Sequence, residues 1–187
     1  MSELTSSLEL LRAAFDRAPV RVMALRDVGP LRLPSGSIVS AKRGERVELP
    51  RWMARALEER GAVVRLLDRF SVEDLLRVHY REMERRSLSE IQKLPEDFYR
   101  LAAEYLEVLE VRLKSSPDYR LLEERRRVEE CLSEVAEKRL ASILDLVIAP
   151  RGASELKARL APEELELYER VSSLVAEWSR VASRGGR

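Results

Sequence analysis

The sequence predicts an α+β protein, with a small N-terminal β-rich domain followed by an α-helical bundle domain. Three observations carry this reading. Residues 20–67 break into short apolar runs punctuated by Gly and Pro turn signals, spaced roughly ten residues apart. From Ser71 onward the apolar period is helical and stays so. Between the two lies Glu45–Gly61, which reads as the end of a strand, a short helix and a stop. The expected division is an N-terminal helix over residues 1–17, the β-rich domain over 18–67, the helical domain over 68–183 and a disordered tail over 184–187.

Residues 3–17 place Leu4, Leu8, Leu11 and Phe15 on one helical face, and Pro19 closes the segment. Val20–Leu25 is β-like, and Asp27-Val28-Gly29-Pro30 is a turn signal. Leu31–Leu33 and Ser37–Ala41 follow as strands around the Pro34-Ser35-Gly36 turn, and Lys42–Glu45 is a tight connection. In Arg46–Leu49, Val47 and Leu49 alternate with charged residues, the period of a half-buried strand. Pro50 is expected as the first helical residue, where its missing N–H costs nothing. Trp52, Met53, Ala56 and Leu57 are expected to form the apolar helix face, and Gly61 can take the positive φ that ends it. Leu49, Pro50, Trp52 and Met53 are accordingly expected in the core of the β-domain. Ala62–Leu67 is the last strand. These strands suggest one small barrel-like or curled sheet covered by one helix. About 50 residues is small for an independent core, so the module should lean on the rest of the chain or on a partner.

In the helical part, Ser71 can cap a helix with Asp74 three residues on. Leu94-Pro95-Glu96-Asp97 predicts a second start, with Pro95 in the first turn and two acids favoured by the helix dipole. Phe98, Leu101, Ala102, Tyr105, Leu109 and Leu113 form its apolar stripe. Ser115-Ser116-Pro117 breaks it, and a long helix follows from about Tyr119 to Ile148, stopped by Pro150-Arg151-Gly152. The last helix begins near Pro162 and carries Leu165, Tyr168, Val171, Leu174, Val175 and Trp178. Three or four helices cannot bury stripes this broad completely, which points to a partner surface and an oligomer built by helix packing.

Composition narrows the function classes. Charged residues make up 36%, yet the net charge is +1, so the charges read as solvated helix faces rather than a polyanion-binding tail. Residues 1–67 carry 12 Lys/Arg against 8 Asp/Glu, net +4, while residues 68–187 are net −3. The basic N-terminal third fits contact with DNA or an acidic partner. The chain has no Asn and one Gln, with abundant Arg and Glu, which fits a thermophile's protein or a GC-rich genome. A single Cys excludes an intrachain disulfide framework and argues against a thiolate metal site. No apolar run reaches the length of a membrane span, and Met-Ser-Glu-Leu-Thr is no signal-peptide start. A cytoplasmic protein with no membrane contact is expected.

No enzyme motif emerges. His79 is the only histidine, and its helical neighbours are Leu75, Leu76 and Met83, the setting of an interface residue rather than a catalytic one. Cys131 sits beside Leu132 as a small buried apolar residue. The glycines stand alone at turns and form no phosphate loop. Arg81, Arg85 and Arg86, and Arg125-Arg126-Arg127, are flanked by glutamates. Lys42-Arg43, with Arg46 and Arg51 near, is the better basic candidate, and its ordinary reading is a soluble hairpin tip. No catalytic residue, metal or cofactor is expected.

The string Leu49-Pro50-x-Trp52-Met53-Ala54-x-x-Leu57, closing a Gly-containing β-module, resembles the small β-domain of GINS subunits, components of a DNA replication complex of archaea and eukaryotes. Leu94-Pro95-x-Asp97-Phe98-Tyr99, followed by the long charged helix ending near Arg139–Val147, is similar to the GINS helical domain. With the β-domain first and the helical domain second, the chain resembles the archaeal "two-three" type. The Leu94–Tyr99 string is more typical of the class with the opposite domain order. The resemblance implies a non-enzymatic scaffold without cofactors, nucleoid-associated through the replisome. Its implied partners are the other GINS subunit type in a tetramer, the MCM helicase and a RecJ-like or Cdc-type protein. It also implies Phe98, Tyr99, Tyr105 and Leu109 as subunit-interface or helical-core residues. The competing reading is a small nucleic-acid-binding regulatory protein making a weak DNA contact, although residues 20–49 contain no aromatic residue for base stacking.

Overall fold

The computed structural model describes residues 3–150 and 153–184. Helix α1 (Glu3–Arg17) leads into strands β1 (Pro19–Ala24), β2 (Val28–Arg32), β3 (Ile38–Ala41) and β4 (Arg46–Pro50). Helix α2 (Arg51–Glu59) and strand β5 (Val63–Arg65) complete the β region. The helical part comprises α3 (Val72–Glu84), a 3-10 turn at Leu88–Glu90, α4 (Phe98–Ser115), α5 (Tyr119–Ile148), α6 (Ala153–Lys157) and α7 (Pro162–Arg184). The fold is thus a small antiparallel β region followed by a helical bundle.

The β region holds two sheets rather than one curled sheet. Strand β1 lies between β4 and β5, antiparallel to both, while β2 and β3 form a separate two-stranded ribbon. The turn signal at Asp27–Pro30 gives way to strand: Val28, Gly29 and Pro30 belong to β2, and the chain reverses over residues 25–27. The ladder loses register between Val28 and Leu31, and such an irregularity admits a proline that cannot donate.

Pro50 is not the first helical residue. It is the last residue of β4, paired with Pro19, and caps α2 with φ −54° and ψ 139°. The α2 face is rotated from the expected one: Arg51, Ala54 and Glu58 are buried, Met53 and Leu57 are half-buried, and Trp52 and Ala56 are exposed. Gly61 ends the helix at φ 65°, and the Gly61 and Ala62 amides return to the carbonyls of Glu58 and Leu57 at 2.8 and 2.9 Å.

Ser71 caps α3 as its spacing predicts, accepting the Asp74 amide at 3.1 Å. The second start differs. Pro95 and Glu96 precede α4, and Asp97 caps it in the left-handed region, φ 59°, without a side-chain capping bond. The Asp97 carboxylate pairs instead with Arg100 at 3.2 Å. Helix α5 runs as expected and is capped by Asp118, which accepts the Arg120 amide at 2.8 Å. Arg151 and Gly152 of the expected stop, and residues 185–187 of the expected tail, lie outside the described residues.

Three apolar clusters fill the interior. One joins Val20, Val22, Leu49, Ala54, Ala62 and Val63 in the β region. The largest, in the bundle, includes Leu75, Phe98, Leu101, Val128 and Val135, and takes in Phe15 from α1. The third, at the far end of α5, joins Ile91, Ile143, Leu146, Leu156, Leu160 and Tyr168.

Candidate assembly surface

Two buried ion networks set the frame on which the surface is displayed. In the first, Arg51 Nε donates to Glu104 Oε2 at 3.0 Å, and Arg65 donates to Glu58 at 2.7 Å and to Glu104 Oε1 at 3.2 Å. Arg51 and Arg65 come from α2 and β5, and Glu104 from the middle of α4. At the edge, Arg55 bridges Glu107 and Asp16 at 2.9 and 3.2 Å. Arg51 also lies 4.2 Å over the Phe15 ring, which ties α1 into the same junction. Burial opposes the Arg65 charge, and the carboxylates of Glu58, Glu104 and Glu107 outweigh it, so its guanidinium is held above the ordinary value.

The second network centres on Arg139, whose side chain is fully buried in α5. It donates to Glu82 of α3 at 2.9 Å, to Glu164 of α7 at 2.7 Å, and to the carbonyls of Gln92 and Arg159 at 3.1 and 3.3 Å. Glu164 also accepts from the Tyr99 hydroxyl at 2.6 Å and from the Ala161 amide at 2.8 Å. One arginine therefore fastens α3, α5, α7 and two connections. Burial, and then the Glu164 carboxylate, push the Tyr99 hydroxyl well above its ordinary value.

On this frame α7 carries an uncovered apolar seam. Leu167, Val171, Leu174, Trp178 and Val181 are spaced alternately by four and three residues, the seam of a helix that packs lengthwise on another helix. Leu167 is packed against the Ile143 and Leu146 cluster. From residue 173 to 183 every residue is exposed, including Leu174, Trp178 at 70% and Val181. The outer face of α5 adds Leu140, Leu144 and Ile148, four residues apart, with Ile148 76% exposed. A groove of about 280 Å³, lined in part by Ala136, Leu140, Ile143 and Leu167, lies between the two helices. Exposed apolar surface of this extent is the mark of an interaction site.

The four residues expected in the helical core or at a subunit interface divide into two pairs. Phe98 and Leu109 are buried within this chain. Tyr99 and Tyr105 are half-buried, with their hydroxyls bonded to Glu164 and Glu124 of the same chain. Phe98 and Leu109 thus sit in the helical core, whereas Tyr99 and Tyr105 keep part of their surface open, Tyr99 at the groove between α5 and α7. Of the expected β-domain core, Leu49 is buried and Met53 packs against the same cluster, with Pro50 half-buried. Trp52 is 44% exposed and outside it, because the ion-paired Arg51 and Glu58 take the inward face of α2. Arg51, expected beside the basic turn, is turned inward to Glu104.

His79 bonds to Glu134 across the α3–α5 contact. The Cys131 thiol is buried, and burial, with Glu134 nearby, pushes its pKa up. Among the described residues no group of His, Cys, Asp and Glu is placed to hold a metal ion, and no helix is long and apolar enough to cross a membrane.

A family model, Sld5, the GINS complex protein helical bundle domain, matches residues 69–182, from the approach to α3 almost to the end of α7. The chain belongs to the GINS family. GINS proteins are non-catalytic scaffold subunits of DNA replication, and other GINS subunits are their partners. No curated protein matches the chain. Both the Arg139 network and the α7 seam fall inside the matched GINS domain, whereas the β region precedes it. Sequence reasoning expected a partner surface from the breadth of the helical stripes but assigned it to Phe98, Tyr99, Tyr105 and Leu109 of α4 rather than to α7. It missed both networks, since nothing in the spacing of a charged residue on a charged helix marks it as buried.

Proposed function

We propose that this GINS subunit is the archaeal "two-three" type, with its β-domain ahead of its helical domain. On this reading it assembles with the other subunit type into a tetramer, and the tetramer links the MCM helicase to a RecJ-like or Cdc-type protein at the replication fork. The observation that carries the assembly step is the uncovered α7 seam within the family-matched bundle. A helix with exposed Leu174, Trp178 and Val181 gains little from its own chain, and a second apolar helix laid along it would remove these side chains from water. The β-before-helix order supports the subunit type.

The test is co-expression with the second GINS subunit type, followed by measurement of mass in solution and of MCM capture. A complex of two subunit types that retains MCM is expected. A chain that stays monomeric and ignores both would overturn the proposal.

A further inference from the structure

We infer that one end of the β region is a docking tip for the phosphate backbone of DNA. Three connections meet there: residues 25–27 after β1, 42–45 between β3 and β4, and 60–62 between α2 and β5. Hydrogen bonds staple them together. The Leu25 amide donates to the Ala62 carbonyl at 2.9 Å, and the Gly44 amide to the Ala24 carbonyl at 2.7 Å. The Arg26 guanidinium donates to the Arg60 carbonyl at 3.1 Å, and the Arg43 amide to the Asp27 carboxylate at 2.9 Å. Arg26, Lys42, Arg43, Arg46 and Arg60 are thereby gathered at one place, and all five are exposed.

None of the five forms an ion pair among the described residues. The acids nearest in sequence are Asp27, Glu45 and Glu59: Asp27 accepts the Arg43 amide, Glu45 accepts the Lys42 amide at 2.8 Å, and Glu59 is exposed. The contrast with the interior is sharp, where Arg51, Arg65, Arg85 and Arg139 each meet a carboxylate. The Asp27 and Glu45 carboxylates keep their charge, and with exposed Glu59 they set three acids against the five cations, so the tip is positive by excess. Cations without an ion-pair partner remain free to meet phosphates and release the counterions condensed on the polyanion. Among residues 25–27, 42–46 and 60–62 there is no aromatic side chain to stack on bases. Recognition would therefore run through phosphates and be indifferent to sequence. The choice of DNA over another polyanion rests on the GINS replication role, while the basic tip itself does not.

The experiment measures binding of the full chain to labelled mixed-sequence duplex and single-stranded oligonucleotides across a salt series. Engagement of all five cations predicts a slope of log K against log salt of about −4.5 on duplex. The triple variant Lys42→Gln, Arg43→Gln, Arg60→Gln should reduce that slope to about −2 and weaken binding at least about tenfold at low salt. A charge-matched control, Lys93→Gln, Arg120→Gln, Arg180→Gln, removes exposed cations elsewhere and should bind like the parent. Circular dichroism of both variants separates lost contact from lost fold. Tighter binding to one oligonucleotide form tells which strand state supplies the phosphates. Salt-insensitive or absent binding at low salt, or equal loss in both variants, overturns the proposal. Polyglutamate bound as tightly as DNA would reassign the tip to an acidic protein. Failure to assemble with a second GINS subunit, with DNA binding intact, would instead count against the assembly reading.

Discussion

Arg51 and Glu104, 53 positions apart in sequence, meet at 3.0 Å with side chains only 3% and 1% exposed. The contact joins the first residue of α2 to the centre of α4, and Arg65 of β5 shares the same carboxylate. Charges this deep stabilise a fold only in company: each is tolerable because the others are present.

Glu104→Gln is therefore expected to cost about 3–5 kcal/mol, since it leaves Arg51 and Arg65 partly unpaired in the interior. Urea denaturation followed by circular dichroism measures it. The same junction predicts that the β region and the bundle of the parent protein unfold in a single transition. Two separated transitions would show the junction to be energetically slack.

Leu49→Ala should destabilise the chain by about 2–5 kcal/mol, because Leu49 is buried at the centre of the β-region cluster. Trp52→Ala should cost less, about 1–2 kcal/mol, since nearly half of the side chain already faces water. Thermal melts of the two variants decide it, and a large loss for Trp52→Ala would contradict the exposed placement.

Alkaline titration should reveal Tyr99 and Tyr105. Both hydroxyls are raised above their ordinary value of 10.0, by burial first and then by Glu164 and Glu124. A group whose pKa is higher folded than unfolded contributes its stability in full below the unfolded value, here pH 10.0, and loses it as pH rises beyond that. Stability should thus decline above that pH, and Tyr99→Phe should flatten the decline. Tyrosinate absorbance followed against pH checks it: all five tyrosines ionising together near their ordinary value, in still-folded protein, would refute the prediction.

Trp178→Glu should leave the melting temperature of the isolated chain unchanged within error while abolishing association with the second subunit type. Trp178 is 70% exposed in the single chain, so the substitution removes no intrachain packing of consequence. Mass measurement of the co-expressed pair gives the answer. Undiminished assembly would place the interface elsewhere.

Much of this architecture is legible in the sequence. The long α5, the Ser71 cap and the Gly61 stop follow from periodicity and local chemistry that act within a few residues. The errors share another cause. At α2 the apolar pattern favours Trp52 inward, yet Arg51 and Glu58 take the inner face because their partners, Glu104 and Arg65, arrive from distant segments. Arg139 is equally inconspicuous in a helix crowded with charge. Pro95 fails as a helix start because the left-handed Asp97 delays the helix until Phe98. The breadth of the helical stripes does show in the sequence and points to a partner surface, but which stripe stays uncovered does not. The motif residues point to α4, whereas the exposed seam is on α7, because cover depends on how far the neighbouring helices reach.

The two ends of this molecule also stand in a fixed relation. Because Arg51, Arg65 and Glu104 cannot part without leaving bare charge in the interior, the β region cannot swivel on the bundle as a hinged arm would. It behaves as a bracket, holding the basic tip at one set angle from the α7 seam. A tetramer built on such seams would present its tips in a fixed constellation, so that geometry, rather than the affinity of any single tip, would select the track of nucleic acid it can follow.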